Sequence, residues 1–283
     1  MKKIAFLAYR EWSFLILEKI LNCLNLLKYK IVIITTACDS KFYFKKFKKI
    51  KIYQINPKNN EKIEEIFKKN NISLALFYGW SWIVPSNIIK KYLCLSLHPS
   101  KLPKYKGGSP LQHQIIRNEK KSAVTIFKMN NKIDSGDIYA QKSISLNGSL
   151  NNIFNRIVTV SSIMTRNLII DYCKDRLFFF KQKKNSNKIF KRRKPQESEF
   201  NITNVKNYNY IYFYNFIRML DNPYPNAFCR IGNKKLYITK VSKIKKINNE
   251  QISFINERMK KNKQYFIKLK DSYAKILEWK LIG

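Results

Sequence analysis

Short apolar runs alternate with amphipathic stretches along the first half of the chain. Lys3–Tyr9 (KIAFLAY) predicts a buried strand, and Trp12–Leu27 carries apolar residues at helical spacing. Tyr29–Thr36 (YKIVIITT) predicts a second strand, Ile50–Ile55 a short third and Ile72–Tyr78 (ISLALFY) a fourth. Glu61–Asn70 predicts a polar helix between the last two. Ser86–Tyr92 predicts a short helix after Pro85, and Leu93–Leu97 a strand that runs directly into His98. Continuously apolar strands suit a parallel sheet covered on both faces. Their alternation with helices predicts an α/β fold, a Rossmann-like, doubly wound and mostly parallel sheet. Such sheets bind ligands at the carboxyl ends of their strands.

The pattern then changes. Ser122–Met129 and Ile138–Leu146 alternate as strands around the turn NNKIDSGD, and Leu150–Asp175 is an amphipathic helix opening after Gly148-Ser149. Phe178–Pro195 is basic, contains Asn185-Ser186-Asn187 and reads as a linker. Beyond Glu199, Tyr208–Leu220 predicts an aromatic-rich helix and Asp221–Asn226 a tight turn. Ala227–Ile231 and Lys235–Val241 flank Gly232-Asn233 as a hairpin. The expected division is a domain over residues 1–178, a basic linker over 179–198, and a smaller β-rich, OB-like domain over 199–283.

Composition adds charge to this picture. Lysine and arginine number 56 against 18 acidic residues, a formal net charge of +38. Lysine dominates, and Asn, Ile, Phe and Tyr are inflated with it, as A/T-rich codons would give. Recognition of a polyanion would favour the forked guanidinium of arginine. Base composition is therefore read as the main source of the charge, with a polyanionic partner as the other reading. No apolar run reaches the ~18–20 residues of a membrane span. The basic start lacks a cleavage site, so a cytoplasmic protein is expected. The five cysteines are scattered without C-x-x-C spacing, and no metal site is expected. AYREW follows the first strand where a dinucleotide-binding fold would carry G-x-G-x-x-G.

The candidate chemistry is concentrated in residues 95–114, LSLHPSKLPKYKGGSPLQHQ. This stretch holds both histidines, three of the eight prolines and two of the seven glycines. His98, at a strand's carboxyl end, is the leading catalytic candidate, because imidazole both takes and gives protons near neutral pH. Gly107 and Gly108 let the backbone approach a ligand closely. Ser100, Leu102 and Pro103 read as loop scaffold, and His113 as a structural or acceptor-side residue. Asp134 and Asp137 in IDSGD are the carboxylates available to orient the imidazole. Asp137 reads as a turn acid bonding its own backbone.

HPSKLPKYKGGSPLQ followed by VTIFKMNNKIDSGDIYAQ resembles the signature of the formyltransferases that use 10-formyltetrahydrofolate. The resemblance extends over FYGWSWIVP (Phe77–Pro85), RRKPQESE (Arg192–Glu199) and IRMLDNPYPNAF (Ile217–Phe228). It implies the formyltransferase fold, 10-formyltetrahydrofolate as co-substrate, no metal, and a primary amine as acceptor. It implies that His98 assists proton transfer and that Asp134 orients it. Ser96 stands where the family carries an asparagine that polarises the formyl oxygen. The implied folate pocket is the backbone near Trp82, Ile83 and Val84, closed by the turn bearing Asn130, Ile133 and Asp134. Ser100, Gly107 and Gly108 fall in the implied substrate loop. For the acceptor, a nucleotide-linked amino sugar is placed first. A longer insertion after the second strand is missing, RRKPQESE is similar to the sugar-enzyme linker, and the C-terminal part is short. Methionyl-tRNA is the alternative acceptor. Ser96 also leaves room for a non-catalytic, RNA-binding relative, and a homodimer through the C-terminal part is open.

Overall fold

The computed structural model describes residues 3–26, 30–36, 46–56, 61–183, 188–246, 255, 259–260 and 263–283. The apolar runs become the centre of a seven-stranded sheet. β1 (Lys3–Leu7), β2 (Lys30–Thr36), β3 (Lys51–Ile55), β4 (Ile72–Tyr78) and β5 (Leu93–His98) pair in parallel. A two-residue strand, β6 (Lys106–Gly107), interrupts the loop after β5. β7 (Lys121–Lys128) and β8 (Ile138–Ser145) then extend the sheet antiparallel. The order is β3-β2-β1-β4-β5-β7-β8. The chain winds outward from β1 to β3, then crosses back to β4 beside β1. That reversal opens a crevice at the carboxyl ends of β1 and β4.

Periodicity explains the helices that cover the sheet. Glu61–Lys69 buries Ile63, Ile66 and Phe67, spaced three and four apart on one face. The 24-residue helix Leu150–Cys173 is tied to the sheet by Thr165 Oγ1, 2.9 Å from the Tyr78 hydroxyl. Tyr78 is fully buried and meets Phe6 edge-on at 5.2 Å. Each such aromatic or aliphatic side chain withdrawn from water contributes about 1.5–3 kcal/mol. Among the described residues no helix is long and apolar enough to cross a membrane.

The chain divides into two compact units. The first comprises residues 1–110, 121–145 and 153–189; the second comprises 111–120, 146–152 and 190–283. The second unit contains an antiparallel sheet ordered β10-β11-β13-β12, made of Ala227–Ile231, Lys234–Ile244, Tyr273–Ile282 and Tyr265–Lys268. Gly232, with φ +54°, makes the tight turn between β10 and β11. The helix Tyr210–Arg218 is capped by Asn209, whose side chain accepts from the Tyr212 N–H at 2.8 Å.

Side chains show why two mid-chain segments join this unit. Arg218, largely buried, donates to the carbonyls of Leu146 and Gly148, both at 2.9 Å, and to Asn215 Oδ1 at 2.8 Å. His113 Nε2 donates to the Lys191 carbonyl at 2.9 Å, and its ring lies 4.9 Å from that of Phe190 at the end of β9 (Ile189–Phe190). Burial lowers the His113 pKa from its ordinary value, against the opposing pull of the Lys191 carbonyl. Both facts fit a structural place for this histidine. In the stretch read as a linker, Asn185-Ser186-Asn187 lies outside the described residues. Phe180, however, is anchored, exchanging backbone hydrogen bonds with Ile138 at 2.8 and 2.9 Å.

Candidate active site

β5 delivers His98 to the end of the sheet, and period-two alternation puts Ser96 on the same face. The imidazole is buried, with its side chain 8% exposed. Its Nε2 lies 2.8 Å from the Tyr105 carbonyl, which can only accept, so Nε2 carries the proton of that bond. Its Nδ1 lies 3.4 Å from Asp134 Oδ2. The same carboxylate oxygen accepts the Gly107 N–H at 2.7 Å. The structure thus brings together the loop histidine, a backbone group of the Gly107-Gly108 pair and an aspartate 36 positions downstream.

The sheet register shows what Asp134 must do to get there. Opposite His98 on β7 stands Thr125, and by Met129 the chain has reached Cys94. The turn after β7 therefore folds back toward the carboxyl end of β5. Two backbone features permit this. Asp134 takes φ +46°, and Gly136 passes so close to β7 that a Cβ there would lie 1.6 Å from the Lys128 carbonyl oxygen. Asn130 starts the turn, its Oδ1 accepting the Lys132 N–H at 2.9 Å. Ser135 Oγ donates to the Ile133 carbonyl at 2.7 Å and accepts from Lys106 Nζ at 2.9 Å.

Ser96 sits differently from what its position suggests. Its single hydroxyl proton is donated to the Phe77 carbonyl on β4 at 3.1 Å. An oxyanion would have to compete with that carbonyl for it. Trp82, Ile83 and Val84 follow β4 at the crevice. Val84 is in the core, whereas Ile83 is 83% exposed. The Trp82 ring lies tilted at 4.7 Å from that of Tyr9, which follows β1, and edge-on at 5.0 Å from that of Trp80. The Tyr9 hydroxyl and Ser81 Oγ share a hydrogen bond of 2.6 Å, so the two loops at the switch point touch. On the turn bearing Asp134, Ile133 is also uncovered, at 49% exposure.

Sequence reasoning missed the support behind the histidine loop. Thr125 Oγ1, fully buried, donates to the Ser100 carbonyl at 2.7 Å and accepts from Gln141 Nε2 at 2.9 Å. Gln141 Nε2 also reaches the Leu102 carbonyl at 3.0 Å, and Ser100 Oγ donates to the Lys104 carbonyl at 2.7 Å. Ser100 and Leu102 are thus held by hydrogen bonds from β7 and β8. The overlooked signal was Thr125 itself, the lone polar side chain inside the apolar run AVTIF. Cys94, buried in β5, has its thiol pushed up to about 12 by desolvation, so it is an inert packing residue.

Fold and site together define an α/β protein with an imidazole–carboxylate pair at the carboxyl end of its sheet. Residues 28–162 match the family described as formyl transferase, and residues 195–253 match that described as methionyl-tRNA formyltransferase, C-terminal domain. The chain belongs to the formyltransferase family. The methionyl-tRNA formyltransferase of Rickettsia rickettsii (strain Iowa) is 36% identical over 99 residues, 34% of this chain and 33% of that protein. The match thus spans about a third of the length of this curated relative. The solved methionyl-tRNA formyltransferase from Clostridium thermocellum is 26% identical with a TM-score of 0.67, covering 100% of both chains. An N-formyltransferase from Helicobacter canadensis, in complex with folinic acid and dTDP-3-aminofucose, has a TM-score of 0.69 at 21% identity. It covers 99% of this chain and all of the other.

Proposed function

We propose that the chain moves a formyl group from 10-formyltetrahydrofolate to a primary amine, and that the acceptor is methionyl-tRNA. The observation that carries the transfer is the pairing of buried His98 with partly buried Asp134, at 3.4 Å, closed by the Gly107 N–H. The acceptor amine attacks the formyl carbon, a C–N bond forms and the carbonyl becomes an oxyanion. The bond to N10 then breaks, the amine having lost one proton and N10 having gained one. Asp134 faces Nδ1, so Nε2 is the nitrogen that exchanges protons with substrate, which displaces the Tyr105 carbonyl from it. In this reading the folate rings lie at the carboxyl ends of β4 and β5. There the backbone of Trp82, Ile83 and Val84 forms one wall, and Asn130, Ile133 and Asp134 the other. The uncovered side chains of Ile83 and Ile133 support this reading, since a flat ring would cover them.

The match of residues 195–253 to the C-terminal domain of methionyl-tRNA formyltransferases supports tRNA, and the net charge of +38 suits a polyanion. That match moves methionyl-tRNA ahead of the nucleotide-linked amino sugar placed first from sequence. Half of the shortened segment used in that ranking, residues 37–45 of 37–54, lies outside the described residues. The sugar remains as a second reading, favoured by the full-length likeness to the enzyme in complex with dTDP-3-aminofucose.

One assay separates these readings. The protein is incubated with 10-formyltetrahydrofolate and either methionyl-tRNA or amino sugars linked to nucleoside diphosphates, and tetrahydrofolate release is followed. Release with methionyl-tRNA is expected, and release only with a sugar would reverse the order. No release with any acceptor, together with no folate binding by calorimetry, would leave a non-catalytic relative. His98→Ala and Asp134→Ala should each abolish turnover in a folded protein.

A further inference from the structure

Gln182 lies in the stretch that sequence reads as a linker, yet its side chain reaches the turn that carries Asp134. Its Nε2 donates one proton to the Asp134 carbonyl at 3.0 Å and the other to the Gly136 carbonyl at 2.8 Å. The amide thus spans both carbonyls that flank Ser135. Its Oε1 is buried without a partner. The reversed amide would point that oxygen at two other acceptors, so the orientation is fixed.

The turn needs such a clamp. Asp134 holds φ +46°, a left-handed conformation that a residue with a side chain keeps only when its surroundings enforce it. On one side the turn is pinned by β7, where the Lys128 N–H donates to the Asp137 carbonyl at 2.8 Å. On the other it is held by Phe180, paired with Ile138, and then by Gln182. The Asp134 carboxylate is 3.4 Å from His98 Nδ1, already long for a hydrogen bond. A small drift of the backbone therefore separates the pair.

We infer that Gln182 is a positioning residue for the catalytic pair, acting through the Asp134 backbone to set the distance between carboxylate and imidazole. The inference rests on the reading of His98 and Asp134 as the proton-transfer pair. Gln182→Met keeps the side-chain length without donors. Gln182→Glu keeps the shape but turns both donors into acceptors facing carbonyls.

The test reads the imidazole ¹⁵N resonances of His98 directly. The chain has two histidines, and His113→Asn assigns the other. Both Gln182 variants should move the His98 resonances toward their positions in Asp134→Asn, while the exposed neighbour Lys183→Ala leaves them in place. In the formyl-transfer assay kcat should fall about ten- to hundredfold, more than KM changes. His98 resonances at wild-type positions in both variants would overturn the proposal, even with a lowered Tm, because Gln182 would then serve stability alone. If the wild-type protein transfers no formyl group, the proposed function fails, but the spectra still decide whether Gln182 sets the pair.

Discussion

Gly136→Ala tests the geometry of the catalytic turn most sharply. An added Cβ would lie 1.6 Å from the Lys128 carbonyl oxygen and 2.8 Å from its carbon, both backbone atoms of a paired strand. An ordinary carbon–oxygen contact is about 3.3 Å. The turn or the strand must therefore move by roughly 1.7 Å. Gly136 is buried and two residues from Asp134, and its own carbonyl is held by Gln182. A shift of even 1 Å carries the Asp134 carboxylate out of hydrogen-bond range of His98, from a starting distance of 3.4 Å. Misplacement on that scale costs about 10²-fold in rate, or about 2.7 kcal/mol of transition-state stabilisation. Overpacking should add about 1–3 kcal/mol of lost folding stability. Initial rates of formyl transfer and urea unfolding measure the two losses separately. A Gly136→Ala protein within threefold of wild-type kcat/KM would refute both the clash and the role assigned to the turn.

Two further outcomes follow from the same site. Ser96→Asn supplies an amide with two protons, so one can satisfy the Phe77 carbonyl while the other faces the formyl oxygen. Turnover should hold or rise, and a hundredfold loss in kcat would show that the oxyanion is stabilised by other groups. Thr125→Val keeps the shape but removes the donor to the Ser100 carbonyl and the acceptor used by Gln141. Burying those unmet groups should cost about 2–3 kcal/mol in urea unfolding, with a fall in kcat as the His98 loop loosens; a stability change under about 0.5 kcal/mol would dismiss the network.

The parts of this molecule legible in sequence are those written in local pattern. All seven strands of the main sheet and the covering helices follow from periodicity, and His98 from its place at the end of an apolar strand. The pairing with Asp134 is different. No local signal says that a turn beginning near Cys94 doubles back to His98, and the family resemblance supplied that link. Gln141 and Gln182 were invisible for a related reason. A glutamine in a polar stretch looks solvated until the fold shows which carbonyls it faces. Ser96 stands out in sequence for the residue it replaces, but only the fold shows that its proton is already engaged by the Phe77 carbonyl.

The discontinuous make-up of the second compact unit bears on how the protein is synthesised. Residues 111–120 leave the ribosome about seventy positions before the segment from Phe190 onward that completes their unit. At typical elongation rates that is a delay on the order of several seconds. During it, His113, Arg117 and Asn118 lack the partners they later find in Lys191, Phe190 and Asn215. The nascent chain therefore passes through a stage in which residues 111–120 wait for the rest of their unit. Cutting the gene at a single point therefore cannot deliver either unit whole.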